Sequence, residues 1–174
     1  TATTTTTADP TGSGADDGCA AYCARLSECG DPQAEGCSEW CPSAGRGYGY
    51  IGDACIALYA AANACVVGLT CDQLLNDPGA CDDVWDLIIG ETCTIAPCRD
   101  LCDKLVACGE GAGEGIPCSS ECSLAAGQSF SQAGVVCTDA IEAMLACEAN
   151  LECDQLDPLQ GCELEIDAVD RACG

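Results

Sequence analysis

The sequence predicts an all-α protein built from two tandem disulfide-stapled helical repeats, each with about four or five short helices, preceded by an extended Thr-rich arm. Cysteine accounts for 20 of the 174 residues, and its spacings run through the same series twice, with offsets of 79 to 82 residues between corresponding members. Several cysteines lie four residues apart, which is the spacing of one helix face. No alternating apolar run bounded by hairpin turns indicates a strand.

The two cysteine series define the predicted repeats, which cover residues 18–96 and 97–174. Only residues 94–97 separate the last cysteine of the first series from the first of the second, so we expect a semi-rigid rod in which Pro97 opens the next helix. In chain order, the two series are Cys19, Cys23, Cys29, Cys37, Cys41, Cys55, Cys65, Cys71, Cys81 and Cys93, then Cys98, Cys102, Cys108, Cys118, Cys122, Cys137, Cys147, Cys153, Cys162 and Cys173.

Cysteine pairs four residues apart predict a doubly stapled helical hairpin at the start of each repeat. Each pair places both sulfurs on one helix face, and two such faces on antiparallel helices pair in nested order. The predicted disulfides are Cys19–Cys41, Cys23–Cys37, Cys98–Cys122 and Cys102–Cys118. Over that part of the chain the arrangement resembles the helical hairpin of plant hairpin peptides, and this resemblance implies a geometry and no activity.

A second pair of antiparallel helices is predicted later in each repeat. It is indicated by apolar stripes at helical spacing, namely Val84, Leu87 and Ile88, and Cys162, Ile166, Val169 and Cys173. Antiparallel packing on the Ala-rich segments before them predicts the disulfides Cys55–Cys93 and Cys137–Cys173. The other pairings stay open, because sequence alone does not choose among them. The tetrapeptide Cys-Asp-Gln-Leu recurs at 71–74 and 153–156 and is interpreted as a cap or tight turn.

Residues 1–17 contain no cysteine and no amphipathic period. β-Branched Thr favours extended backbone, and Thr-rich tracts with Pro are typical of stalks that carry O-linked sugars. A disordered linker is the alternative interpretation. We expect an extended arm that lies along a neighbouring subunit. Its candidate O-glycosylation sites are Thr1, Thr3, Thr4, Thr5, Thr6, Thr7 and Thr11.

Composition predicts a protein of an oxidising, extracellular compartment. Cysteine above about a tenth of the residues indicates a disulfide scaffold, and the chain, which starts at Thr1 without a leader, is interpreted as a mature form. The net charge of −24 disfavours nucleic acid and anionic membranes as partners. No stretch approaches the roughly 20 apolar residues of a membrane helix, so no membrane insertion is expected.

Catalytic and metal chemistry finds little support in the sequence. The chain has no histidine, which excludes Ser-His-Asp and Cys-His catalysis and His-ligated zinc. No two cysteines are separated by two residues, the spacing that redox motifs and zinc ribbons use. The alternatives are soft-metal storage by thiolates and calcium binding by clustered carboxylates, which lack the spacing of a calcium loop. We expect no enzyme, no cofactor and no metal.

The segment 45–50, Gly-Arg-Gly-Tyr-Gly-Tyr, is the most distinctive local feature. Its alternating glycines favour an exposed, close-packing loop, and Tyr and Arg are residues that interfaces use as anchors. Arg46, Tyr48 and Tyr50 are therefore candidates for contact with another subunit or partner. Sugar stacking and packing on the same repeat are the alternatives.

In cysteine spacing and acidic, Ala- and Gly-rich composition, residues 18–174 resemble the cysteine-rich tandem-repeat exported proteins of myxobacteria-like bacteria. The resemblance implies a bacterial protein that is secreted or held at the cell surface. Our leading hypothesis is a structural subunit of an extracellular filament or coat, a head-to-tail homopolymer joined through the arm. The alternative is a secreted or surface-anchored module on a glycosylated stalk that binds a sugar or a protein.

Overall fold

Nine α-helices form in the part of the chain that this computed structural model describes, residues 18–77, 79–90, 92–110, 117–156 and 160–174. They are α1 (Cys19–Cys29), α2 (Cys37–Ile51), α3 (Asp53–Gly68), α4 (Cys71–Asn76), α5 (Asp82–Ile88), α6 (Ala96–Ala107), α7 (Cys118–Ala133), α8 (Val135–Ala149) and α9 (Glu163–Cys173). Those residues contain no strand, so the all-α prediction is confirmed. The predicted arm, residues 1–17 with its candidate glycosylation sites, lies outside the described residues.

All the cysteines are paired, and the two halves of the chain use the same connectivity. The six disulfides expected from the sequence are present in the structure. The pairs that the sequence left open are Cys29–Cys71 and Cys65–Cys81 in the first half, and Cys108–Cys153 and Cys147–Cys162 in the second. In the first half, Cys29–Cys71 is the disulfide that connects the α1/α2 hairpin to the helices that follow it.

In the described ranges, disulfides also form much of the core, since ten of the nineteen buried apolar side chains there are cysteines. In the first half, Cys19 and Cys41 pack with Tyr22, Leu26 and Tyr59. The Tyr59 hydroxyl donates a hydrogen bond to the Cys41 carbonyl oxygen at 3.1 Å. Small repeats bury little apolar area, and cross-links that restrict the unfolded chain offset this shortfall.

Two hydrogen bonds between α7 and the segment that precedes α6 stabilise the joint between the halves. The buried Ser120 hydroxyl donates to the Gly90 carbonyl oxygen at 2.6 Å, and the Ile95 backbone N–H donates to the Ser123 hydroxyl oxygen at 2.9 Å. Pro97 lies in the first turn of α6, as the sequence predicts. The predicted boundary at 96/97 therefore falls at the start of α6. That this point separates two domains stays a prediction.

Helix α2 packs along α7, so the halves meet through a helix pair as well as through the joint. At their closest approach, a Cβ atom on Gly47 would lie 2.7 Å from the Gly127 carbonyl oxygen. One turn further along both helices, the Tyr50 and Phe130 rings stack with their centroids 4.9 Å apart. The absence of a Cβ on both glycines permits this close approach.

The expectation of an exposed loop at residues 45–50 is wrong, because this segment is the last part of α2. Pro42 and the alternating glycines lower its helix propensity. Gly45 and Gly47 are nevertheless buried, and the packing of α2 on α7 offsets the unfavourable propensity.

Two further local predictions concern a helix and a turn. The helix that the stripe Val84, Leu87 and Ile88 predicts is present as α5, although Leu87 is 53% exposed and Ile88 fully buried. The repeated Cys-Asp-Gln-Leu tetrapeptide does cap a helical turn in each half. Thr70 and Gln73 form a reciprocal capping box at the start of α4, and Glu152 and Gln155 form the corresponding one.

Candidate functional site

Tyr48, a candidate contact residue, lies on α2 and packs against its own half of the chain. Its ring stacks on Tyr59 with the centroids 4.5 Å apart. Burial raises the pKa of the Tyr48 phenol above its ordinary value, because the anionic form loses its hydration. At neutral pH the phenol is therefore protonated and uncharged.

Tyr50, the second candidate, connects the two halves. Besides stacking on Phe130, it donates a hydrogen bond from its hydroxyl to Oε1 of Glu142 on α8. Both interactions lie within one chain, so in this structure Tyr50 contacts the other half of its own chain.

Arg46, the third candidate, points to solvent from α2. Arg25–Glu28 is the only ion pair within the described residues, so Arg46 has no ion-pair partner there. Of the three side chains, Arg46 is the exposed one, whereas Tyr48 and Tyr50 are half-buried. The role of all three in contacts with another molecule stays a prediction.

A cleft of about 380 Å³ opens beside the α2/α7 contact. This volume lies within the range of small-molecule sites, about 300 to 1,000 Å³. Its polar and aromatic wall residues are Trp40, Ser43 and Tyr48 from α2, and Gln128, Ser131 and Gln132 from α7. Gly47 and Gly127 form part of its floor, so the contact that joins the halves also shapes the cleft.

The side chains that line the cleft are uncharged. Among the described residues that line it, none carries a charge at neutral pH, although the chain as a whole has a net charge of −24. Trp40 is 39% exposed, and its ring meets Tyr22 edge-on with the centroids 5.8 Å apart. The cleft thus offers an aromatic face and uncharged hydrogen-bonding groups.

Sequence reasoning missed Trp40, Gln128 and Gln132 as site residues. Trp40, Ala44, Gly47 and Ile51 recur at helical spacing, a signal that appears only if residues 45–50 are assigned to a helix. Because the glycine pattern favours a loop for that segment, the sequence does not reveal the helix face that these residues share.

A second surface feature lies on α8 and α9. Val136 and Ala140 of α8, with Ala168, Arg171 and Ala172 of α9, line a shallow groove. Val136 is 67% exposed, and Leu164, one turn before Ala168 on α9, is 78% exposed. Arg171 donates from Nε to the Asp167 carbonyl oxygen at 2.9 Å and makes no ion pair with the described residues. We refer to Val136, Ala140, Leu164, Ala168 and Arg171 as the α8/α9 face.

Comparison with known proteins found no matching family model, no matching curated protein and no matching solved structure. In the described residues, no three His, Cys, Asp or Glu side chains group as they would around a metal ion. None of the helices in the described ranges is long and apolar enough to cross a bilayer. Every cysteine is disulfide-bonded, which fits a secreted or extracellular protein.

Proposed function

We propose that this protein is a structural subunit of an extracellular filament or surface coat. The observation that carries the proposal is the α8/α9 face, where Val136 and Leu164 are among the most exposed large apolar side chains. Val136 lies beside the Cys137–Cys173 disulfide and Leu164 near the Cys147–Cys162 disulfide of the same helix pair, and exposed apolar surface beyond single scattered side chains is characteristic of an interaction site. The disulfides supply the durability that an extracellular subunit needs, because they restrict the unfolded chain.

A second copy of the chain has surface that complements the α8/α9 face. When the halves are aligned on Cys81 and Cys162, the positions of Leu164 and Ala168 correspond to Asp83 and Leu87. Both first-half residues are exposed and lie one turn apart on α5. Leu87 would add apolar area to the contact, and Asp83 would pair with a cation.

Arg171 gives this contact its direction. As one of only five basic residues in the chain, it lies beside the apolar groove and would pair with Asp83 of the next copy. A contact between unlike surfaces of identical subunits is heterologous, and it propagates an open assembly when the rotation does not close. We infer that the second half of one copy meets the first half of the next.

The Thr-rich segment 1–17 would supply an additional link. An extended, β-branched segment can lie along the surface of a neighbouring subunit. In this proposal, the α8/α9 face sets the direction of growth and the segment strengthens each joint. O-linked sugars on its threonines would extend the coat outward.

Negative-stain microscopy of native secreted material, before any reduction, tests the proposal. We expect regular filaments or sheets from the wild-type protein. Leu164→Asp should give dispersed particles, whereas Val106→Asp, an equally drastic change at an exposed valine of α6, should still assemble. Arg171→Glu should block assembly, and Asp83→Arg in the same chain should restore it. Dispersed wild-type particles at every concentration would overturn the proposal.

Deletion of residues 1–14 tests the contribution of the arm separately. If the arm links subunits, the truncated protein should remain folded and assemble poorly. Normal assembly without these residues would remove the arm from the mechanism and leave the α8/α9 face as the joint.

The cleft between α2 and α7 favours the second candidate function, a secreted or surface-anchored binding module. Its volume and its convergent uncharged polar groups are those of a ligand site. This function requires a monodisperse protein and a ligand that occupies the cleft. The segment 1–17 would then be a glycosylated stalk, and the α8/α9 face would be unnecessary for activity.

A further inference from the structure

The cleft between α2 and α7 has an exposed aromatic ring on one wall and, on the other, amide groups that make no hydrogen bond with the described residues. Trp40 lies on the α2 wall, and Gln128 and Gln132 lie on the α7 wall. Within the described residues, neither glutamine side chain makes a hydrogen bond, whereas the Ser131 hydroxyl is occupied by the Gln128 carbonyl oxygen at 2.8 Å. The amides are therefore available to a ligand that reaches across from the Trp40 ring.

The uncharged lining of the cleft disfavours ionic ligands. None of the described residues that line it is charged at neutral pH, so an ion would find no partner there. The net charge of −24 on the whole chain repels anions at longer range. A cation would instead concentrate at the carboxylates outside the cleft. The favoured ligand is uncharged, with one apolar face and a polar edge.

We propose that this cleft binds a neutral saccharide. The face of a pyranose ring that carries C–H groups would stack on Trp40, since aromatic rings provide large apolar area at defined geometry. Its hydroxyl groups would exchange hydrogen bonds with the amides of Gln128 and Gln132, each of which offers a donor pair and an acceptor. The proposal names the ligand class of the binding-module function and does not require that the protein assemble.

A peptide is the less suitable occupant. Extended peptides commonly bind by adding a strand to a sheet edge, and the described residues contain no strand. A helical peptide binds a groove through its apolar face, and such a ligand would leave the amides of Gln128 and Gln132 in this cleft without partners. A saccharide makes use of the aromatic face and of the polar groups together.

Disulfides pre-organise the walls of the site. Trp40 stands between Cys37 and Cys41, which are bonded to Cys23 and Cys19 of α1. The edge-on contact with Tyr22 further orients the indole ring. Because little conformational freedom remains to be lost on binding, a small contact area can give measurable affinity.

Calorimetric titration of the intact protein with neutral oligosaccharides tests the proposal, using maltohexaose, cellohexaose and chitohexaose as probes and an oligogalacturonate as the anionic control. We expect saturable binding of at least one neutral probe and none of the anionic one. Trp40→Ala and the double variant Gln128→Ala/Gln132→Ala should each weaken binding by about tenfold or more. Gln33→Ala, at an exposed glutamine outside the cleft, should bind as the wild type does.

Two outcomes would overturn the saccharide assignment. One is that no neutral probe binds, or that the Trp40 and glutamine variants bind as well as the wild type. The other is that a synthetic peptide of residues 1–17, and not a saccharide, saturates the cleft, which would assign it to the arm of a neighbouring copy. Leu164→Asp separates the two proposals, because it should abolish assembly and leave saccharide binding unchanged.

Discussion

Gly47 and Gly127 face each other across the α2/α7 contact so closely that neither position has space for a side chain. A Cβ on Gly47 would lie 2.7 Å from the Gly127 carbonyl oxygen, and a Cβ on Gly127 would lie 2.8 Å from that of Gly47. When the halves are aligned on Cys41 and Cys122, Gly47 corresponds to the residue directly after Gly127. The two halves of the chain thus meet through points that nearly correspond in the cysteine alignment, and the cleft lies beside that contact.

Substitution of Gly47 by Ala should separate the two helices at this contact. The added methyl group meets backbone atoms, which cannot rotate away, so we expect a loss of about 1–3 kcal/mol in the free energy of unfolding. The disulfides should keep each half folded. Chemical denaturation with the disulfides intact, combined with saccharide titration, would measure both the loss and its effect on the cleft.

Gly49→Ala is the matched control, because Gly49 lies on the same helix and a Cβ there would contact nothing within 4 Å. Alanine favours the helix over glycine by about 0.5–1 kcal/mol, so this variant should be slightly more stable than the wild type. Equal stability of the Gly47 and Gly49 variants would contradict the importance of the close approach.

Disulfide spacing made the hairpins predictable from sequence, whereas the pairing of Cys29 with Cys71 was not. Cysteines four residues apart share a helix face, and this geometry leaves one nested solution for two antiparallel helices. Cys29 and Cys71 have no such local signal. Cys29 ends α1 and Cys71 begins α4, so their proximity depends on how α3 packs on the hairpin.

The contact between the repeats was hidden for a different physical reason. Glycine and proline lower helix propensity, so the sequence around Gly47 favours a loop when it is considered locally. Tertiary packing reverses this preference, because only glycine permits the α2 backbone to approach α7. Local propensity therefore fails at the position where the long-range contact is closest, and the cleft beside it could not be predicted.

Tyr50→Phe should weaken the connection between the halves without disturbing the ring stack. The variant keeps the contact with Phe130 and loses the hydrogen bond from the hydroxyl to Glu142. We expect a loss of about 0.5–1.5 kcal/mol in the free energy of unfolding. Tyr50→Ala, which also removes the stack, should lose more in the same denaturation experiment. A Tyr50→Phe variant as stable as the wild type would show that the hydrogen bond makes no net contribution.

Glu163 should make the stability of α9 depend on pH. The backbone N–H groups of Gly161 and of Glu163 itself donate to its carboxylate and lower the pKa below its ordinary value of 4.5. The folded state therefore favours the charged form. This stabilisation is present above the pKa of the unfolded chain and is lost as the pH falls through the folded-state pKa.

Thermal unfolding of Glu163→Gln against the wild type would measure this effect. The wild type should be the more stable at neutral pH, and the difference should close as the pH falls below about 4.5. Glu165→Gln, a change of the same charge in the same first turn of α9, is the control for the helix dipole alone. A difference between Glu163→Gln and the wild type that does not change with pH would contradict the assignment.

Removal of the Cys29–Cys71 disulfide should release α4 locally. Helix α4 has only six residues, none of them buried, and so short a helix is marginal without a tertiary constraint. In the variant Cys29→Ala/Cys71→Ala we expect amide hydrogen exchange in α4 to accelerate by about 30-fold or more, corresponding to a disulfide contribution of at least about 2 kcal/mol.

Cys65→Ala/Cys81→Ala, which removes a disulfide not attached to α4, should leave the amides of α4 protected. Thr70→Ala removes only the capping box and should have a smaller effect, of about 1 kcal/mol. If α4 kept its protection without Cys29–Cys71, packing against α1 and not the disulfide would be what holds it in place.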